Sequence, residues 1–503
     1  MDKQRRKQIV IAGGGITGLS TAYYVEQLCR AHAIEAEIVL VEKSDRFGGH
    51  VHTGKKDGFV IERGPDSFLA RKTSIIELMQ ELGIGDDIVG TRPGISHSYI
   101  AYRNQLHPIP DGFMLGVPTK WKPFLTTKLI SVRGKVRAAA DLVLPRKSNV
   151  EDESLGQLLR RRLGDEVLEQ IAEPLLAGIY AGNADALSVQ ATFPMLQETE
   201  QKHRSLIVGM LGVRKSRAPK QTTQSSQTTS KTTNKSTSKT GSGNGSGSTS
   251  TVKKSMFLSA RGGLEEVVTH LEKSLSSSIN MMKNTEISGV THEGERYVVH
   301  LHNGTKLHAD AMVIATPAHV AARLLPDESI SKLLQTIPYA SVMNVVLAYR
   351  EQDVGISLEA SGFVVPRKEG RTVTACTWTS SKWAHTAPEG HILLRAYVGK
   401  YGQENDDQLS DEKLVHHVRR ELEEMMGISA EPIFTEVNRL PDAMPQYKVG
   451  HLERMQDLDD ALATVMPGVY LGGGGYRGIG VPDCISQGKA MANKLLTRLI
   501  DMA

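Results

Sequence analysis

Cysteine is nearly absent: Cys29, Cys376 and Cys484 are the only three in 503 residues. They are widely spaced and odd in number, so neither a disulfide framework nor a metal-ligand spacing can be built from them. A reducing compartment is expected, with all three as small buried hydrophobes. The 17 histidines show no HExxH or other ligand spacing, and no metal is inferred. Long apolar runs are also missing. No stretch approaches the roughly 18 consecutive apolar residues of a membrane-spanning helix. The basic start, Met1 to Gln8, is followed only by Ile9 to Ala12 before glycines begin, too short for the roughly 7–15 apolar residues of a secretory signal. A soluble cytoplasmic protein is expected, with peripheral contact at a membrane surface left open. The net charge of +4 is too weak to argue for nucleic acid, yet it suits an anionic cofactor and an acidic substrate.

What the chain does have is ample core material, with 40% hydrophobic and 23% charged residues. At about 150 residues per domain the length suggests two to four domains. Residues 8–12 read as a buried strand, 13–15 as a glycine turn, 16–30 as a helix and 37–42 as a second buried strand, which makes a β-α-β unit. Residues 98–108 predict a hairpin turning at Arg103-Asn104. Amphipathic stretches such as 154–163 and 165–180 predict a helical domain over 113–215. Its first part, 114–145, mixes apolar residues with Lys120, Lys122, Lys128, Arg133, Lys135 and Arg137. That face either lies on an anionic membrane, shapes an anion-accepting cavity or is simply solvated.

Residues 216–254 are a Ser/Thr/Gly/Lys/Gln run, expected to be a disordered surface insertion because it cannot bury enough apolar surface. Its lysines are diluted and no aromatics accompany them, so no nucleic-acid role is expected. Beyond it, a hairpin over 296–308, strands at 311–316, 341–349, 373–379 and 391–398, a helix at 410–427, a strand at 468–471 and a helix at 482–500 are predicted. Strand-helix signals at both ends of the chain indicate one nucleotide-binding domain assembled from separated segments.

The strongest chemical signal is Gly13-x-Gly15-x-x-Gly18, directly after a strand and opening a helix. Gly13 permits the turn, Gly15 lets backbone approach a pyrophosphate, and Gly18 lets helix and strand pack closely. The phosphates would sit on free N–H groups at the helix N-terminus. Glu42 ends the next strand, near the roughly 20-residue offset at which an acid binds adenosine ribose hydroxyls. This fingerprint does not separate FAD from a nicotinamide. Two further features favour flavin: the Arg46-x-Gly48-Gly49 extension of flavin oxidases, and a second cluster, Gly472–Gly475, Gly478 and Gly480, before the last helix. A helix N-terminus aimed at the flavin would stabilise negative charge on the reduced ring.

The strings Gly64-Pro65-Asp66-Ser67-Phe68, 161–182, 198–206, 375–379, 443–451 and 480–484 make the resemblance specific. The chain resembles the protoporphyrinogen/coproporphyrinogen oxidase family of haem biosynthesis over nearly its whole length outside 216–254. Within it, the sequence is most similar to the soluble Gram-positive enzymes that act on coproporphyrinogen III. The resemblance implies an α/β fold of flavin oxidase type: a discontinuous Rossmann-like FAD-binding domain (1–60, 255–320, 438–503), an α+β substrate domain (61–112, 321–437) and an inserted helical domain (113–215).

The resemblance also implies non-covalent FAD on Gly13, Gly14, Gly15, Ile16, Thr17 and Gly18, on Glu42 and Lys43, and on Arg46, Gly49 and His50. Further implied contacts are Gly64, Pro65, Asp66, Ser67, Ile287, Leu440, Ile479, Gly480 and Val481. Two positions depart from the family: His50 stands where Lys or Arg is usual, and Leu440 where an aromatic is usual. The implied reaction oxidises coproporphyrinogen III to coproporphyrin III with molecular oxygen as acceptor, releasing hydrogen peroxide, with hand-over of the product to a ferrochelatase. Protoporphyrinogen IX is the alternative substrate.

No catalytic base is assigned. Arg71 and Lys72 are either anchors for substrate carboxylates or surface charges. Arg395, inside an apolar strand, is either paired to a structural carboxylate or points into the substrate cavity. Tyr447 either walls that cavity or fills core. A flavin amine oxidase with an aromatic cage fits poorly with 5% aromatic residues. A non-catalytic tetrapyrrole carrier that retains FAD is the rival from another class.

Overall fold

The computed structural model describes residues 6–95, 97–217, 255–275, 277–402 and 408–501. Lys7–Ala12 forms a strand because its β-branched apolar residues favour extended backbone and the glycines after it end the ladder. It is the centre of a five-stranded parallel sheet, in the order Asn280–Met282, Ala36–Val41, Lys7–Ala12, Ala311–Ile314, Val469–Leu471. Ile9 to Ala12 are wholly buried, as a central parallel strand covered on both faces requires. On one face lie the helices Ile16–Ala31, Glu265–Leu275 and Val481–Asp501. On the other lie Ala318–Leu324, Glu328–Gln335 and His451–Val465, with a three-stranded sheet over residues 287–309. The discontinuous nucleotide-binding fold is therefore present. The short edge strand Asn280–Met282 is not anticipated by the pattern, having neither length nor alternation.

A second sheet has seven strands, in the order Phe434–Pro445, Tyr339–Arg350, His391–Val398, Val373–Trp378, Gly362–Val364, Tyr99–Tyr102, Gln105–Pro108. Helix Asp411–Met426 packs on one face. The hairpin at its edge turns at Arg103 and Asn104, both left-handed (φ 53° and 58°). Strand Phe434–Pro445 departs from the sequence reading. Its polar residues break any apolar alternation, and it is held by its long register along Tyr339–Arg350. The boundaries drawn at 60/61 and 437/438 fall inside strands Phe59–Glu62 and Phe434–Pro445.

Helices fill residues 121–217 and share one core. Stretch 165–180 is not one helix but short turns, Asp165–Val167, a wide π turn Leu168–Ala172, Glu173–Leu176 and Ala177–Tyr180. Pro174 has no N–H to bond the carbonyl four residues back, and the turn before it widens. Arg162 anchors this region. Wholly buried, it pairs with Asp141 at 2.6 Å and donates to the carbonyl of Pro145. Of the stretch 216–254, Ser216 and Arg217 end helix Leu206–Arg217; the rest lies outside the described residues. Among the described residues no helix is long and apolar enough to cross a membrane. All three cysteines are buried.

Candidate active site

The glycine turn after Lys7–Ala12, Glu42 after Ala36–Val41 and the second glycine cluster after Val469–Leu471 all lie at the carboxyl ends of the parallel strands, where ligands bind in open α/β sheets. Gly13 leaves its strand with φ +101°, and its N–H donates to Val41 O at 2.8 Å. A Cβ on Gly18 would lie 1.9 Å from Gly13 O, so only glycine lets helix and turn meet. A Cβ on Gly14 would strike the Phe47 ring at 2.3 Å. Gly15 is the opposite case: a Cβ there meets no atom within 4 Å. A cradle of open space thus faces the N-terminus of the helix that begins at Ile16, beside buried Thr17. That is the geometry a pyrophosphate needs.

Glu42 follows the second strand and closes the cradle. Its carboxylate accepts from Gly14 N–H at 2.7 Å and from Ser44 N–H at 2.8 Å. Lys43 beside it is exposed. Ile287, partly buried, lies two residues beyond Thr285, whose N–H donates to Glu42 O at 2.9 Å. The Arg46 guanidinium donates to the carbonyls of Gly49, Phe47 and Val51 and shapes its own loop. This loop brings left-handed Gly49 against Gly15 Cα, and Gly48 N–H donates to Gly14 O. His50 is exposed and lines a cavity of about 500 Å³ together with Arg46, Arg63 and Leu440.

The Gly64–Ser67 motif is held from a distance. A Cβ on Gly64 would sit 1.8 Å from His50 O. Arg395, 1% exposed, donates to Gly64 O at 2.7 Å and pairs with Asp66 at 3.2 Å. Arg395 is thus paired to a carboxylate within the motif. Burial opposes ionisation of Asp66, but the positive charges of Lys382 and Arg395 hold its carboxyl below the ordinary range. Ser67 donates to that carboxylate, Ser259 donates to Asp66 O, and Pro65 is partly buried.

At the far end of the chain, Gly473 comes beside Thr17, and Gly488 of the last helix packs on Thr17 O. The first and second glycine clusters are thereby neighbours. Ile479 packs against the helical core, Gly480 N–H donates to Asp483, and buried Val481 starts the helix. Tyr447 is 1% exposed. Its hydroxyl donates to Gly474 O and accepts from Gly478 N–H. Of the suggested substrate anchors, Arg71 is exposed, and Lys72 is bound to Asp483 at 2.6 Å beside a cavity of about 450 Å³. Within 114–137, Lys135 donates to Leu125 O and Thr127 O, and Arg137 to Arg160 O and Arg161 O. These two cations serve as helix C-terminal caps.

Residues 16–496 match the family described as flavin containing amine oxidoreductase. The fold and site define an FAD-dependent oxidoreductase. The chain belongs to this family, in its coproporphyrinogen and protoporphyrinogen oxidase branch. It is 43% identical to the coproporphyrinogen III oxidase of Bacillus subtilis, over 98% of this chain and 99% of that protein. It is 36% identical to the Staphylococcus aureus enzyme of the same name, over 98% and 100%. A crystal structure from Exiguobacterium sp. 255-15, provisionally described as a protoporphyrinogen oxidase, superposes with a TM-score of 0.83 at 35% identity, covering 98% of this chain and 99% of that one.

Several residues of the site escape the sequence reading. His451 stacks on Tyr447, Tyr476 ties the second glycine loop to Thr316 O, Tyr339 Oη lies against Gly475, and Arg63 pairs with Glu436 at 2.7 Å. His451 was within reach, since it ends the family-typical string 443–451. Arg63 and Glu436 are 373 residues apart, and no local signal joins them.

Proposed function

We propose that the protein oxidises coproporphyrinogen III to coproporphyrin III in the cytoplasm, with oxygen as terminal acceptor and hydrogen peroxide as by-product, and that the product passes to a ferrochelatase. The observation that carries this reading is the 43% identity, end to end, with a protein named for that substrate. Bound FAD supplies two-electron acceptance from a methylene bridge of the macrocycle. The open space over Gly15 fits its pyrophosphate. The N–H groups of Gly15, Ile16 and Thr17 would neutralise the phosphates, and Glu42 would turn from Gly14 N–H to the ribose hydroxyls. Gly64 to Ser67, locked by Arg395, and the loop before Val481 would border the flavin. Across the three oxidations two of the protons lost come from pyrrole N–H groups and the third from the last methylene bridge by tautomerisation. All come from the macrocycle itself, so the chain's task is to orient the substrate and exclude water. Arg71, exposed, is the readier partner for a propionate, whereas Lys72 must first leave Asp483.

Side-by-side turnover of coproporphyrinogen III and protoporphyrinogen IX, followed by oxygen consumption, tests the reading. A higher kcat/KM for the tetracarboxylate is expected, because its extra propionates need cationic partners that the divinyl substrate leaves unpaired. Equal or better use of protoporphyrinogen IX sinks the substrate assignment. FAD retention without oxygen uptake on either substrate points to the carrier instead.

A further inference from the structure

The second glycine loop, residues 472–480, is fastened by side chains that lie outside it in sequence. Tyr447 Oη donates to Gly474 O at 2.6 Å and accepts from Gly478 N–H at 2.7 Å, so one phenol spans both arms of the loop. His451, 1% exposed, stacks on that phenol with ring centroids 4.1 Å apart and planes 15° from parallel. Its Nε2 donates to Tyr476 O at 2.7 Å, which fixes the tautomer and leaves Nδ1 buried without a partner. Tyr476 Oη in turn donates to Thr316 O. On the opposite side Gln487 accepts from Gly473 N–H and donates to Gly478 O. Gly473 and Gly478 are both left-handed, at φ +127° and +107°. The backbone contributes Tyr476 N–H to Gly473 O and Gly472 N–H to Ile314 O, and the clamp adds the bonds to Gly474 O, Tyr476 O and Gly478 N–H.

We propose that Tyr447 and His451 are positioning residues: an uncharged stacked pair that sets the loop, and with it the N-terminus of helix Val481–Asp501, against the flavin. The proposal rests on the reading that this loop borders FAD. The helix N-terminus stabilises negative charge only while its N–H groups are held in place. A loosened clamp weakens that stabilisation without removing any group that touches substrate.

The test uses the holoenzyme with Tyr447→Phe, His451→Leu and His451→Gln, and reads FAD content, the visible flavin spectrum, the midpoint potential, and kcat and KM. Tyr447→Phe and His451→Leu should keep FAD, shift the spectrum, lower the potential and reduce kcat about fivefold, the worth of one hydrogen bond of about 1 kcal/mol, with KM nearly unchanged. His451→Gln, whose neutral amide can still donate to Tyr476 O, should restore most of each loss. Variants that merely melt earlier, with the potential and spectrum of the unaltered enzyme, overturn the proposal. Gly478→Val tests the underlying reading separately. It distorts a left-handed position in the loop, and unchanged FAD affinity and spectrum in that variant would show that the loop lies away from the flavin.

Discussion

The two glycine loops meet in space but are built differently. The first, Gly13–Gly18, is shaped by adjacent backbone: Gly18 closes on Gly13 O, and Gly13 N–H bonds the neighbouring strand. The second, 472–480, takes its shape from Tyr447, His451, Tyr476 and Gln487. A loop whose closing contact, Gly18 on Gly13 O, lies within its own few residues can be recognised from spacing. A loop held in large part by side chains from elsewhere, Tyr447 and His451 above all, cannot, because the same glycines could serve as an ordinary helix entry.

The largest effect is expected at the first loop. Gly15→Leu should abolish FAD retention while leaving the melting temperature of the apoprotein nearly unchanged, since the new side chain enters open space. Gly18→Ala should lose both, since its Cβ would lie 1.9 Å from a backbone oxygen. Flavin absorbance per protein and thermal melting of each apoprotein check the pair. Stoichiometric FAD in Gly15→Leu would break the comparison at its root.

An intermediate effect is expected where a motif legible in sequence depends on a remote partner. Arg395→Met leaves Asp66 and Gly64 O without their buried cation. Removing one member of a buried pair costs about 3 kcal/mol or more, so denaturant melting should show a loss of that order, with weaker FAD binding. A loss below about 1 kcal/mol would mean that the Gly64–Ser67 turn holds itself, as the first loop does.

The smallest effect is a pH dependence. Burial pushes His451 from its ordinary 6.5 down to about 4. Between those values the unfolded chain binds more protons, so stability is lost as pH falls through that window. Burial pushes Glu62 from 4.5 up to about 7, despite bonds from Leu264 N–H and the Thr53 hydroxyl. Its contribution is present below pH 4.5 and is lost as pH rises through 7. The two windows overlap between pH 4.5 and 6.5, where the opposing slopes offset one another in part, so the variants rather than the unaltered protein separate the two contributions. In melting temperatures at pH 5, 6 and 8, His451→Gln should gain stability relative to the unaltered protein as pH falls from 6 to 5. Part of the acid loss should remain, because His385 is also pushed down to about 4. Glu62→Gln should gain relative to the unaltered protein as pH rises from 5 to 8. An acid slope unchanged in His451→Gln would show that the clamp carries no buried neutral imidazole.

The first β-α-β unit, the hairpin at Arg103-Asn104, the strands at 373–378 and 391–398 and the last helix are all legible, because each states its own periodicity or turn chemistry within a dozen residues. Strand Phe434–Pro445 and the broken stretch 165–180 are not. One is a strand only because a twelve-residue partner pairs with it, and the other, helical along its length, changes pitch ahead of Pro174. Arg395 and Tyr447 could each be singled out as unusual, but which of two roles each plays depends on Asp66, Gly474 and Gly478.

By itself, then, the sequence determined the dinucleotide loop, the α/β class and the family, since these are written in contiguous residues whose backbone demands are local. Only the tertiary structure decided which buried charges are paired and what holds the second loop in shape. Those choices turn on desolvation and on hydrogen-bond partners hundreds of residues apart, and no local pattern encodes such distances.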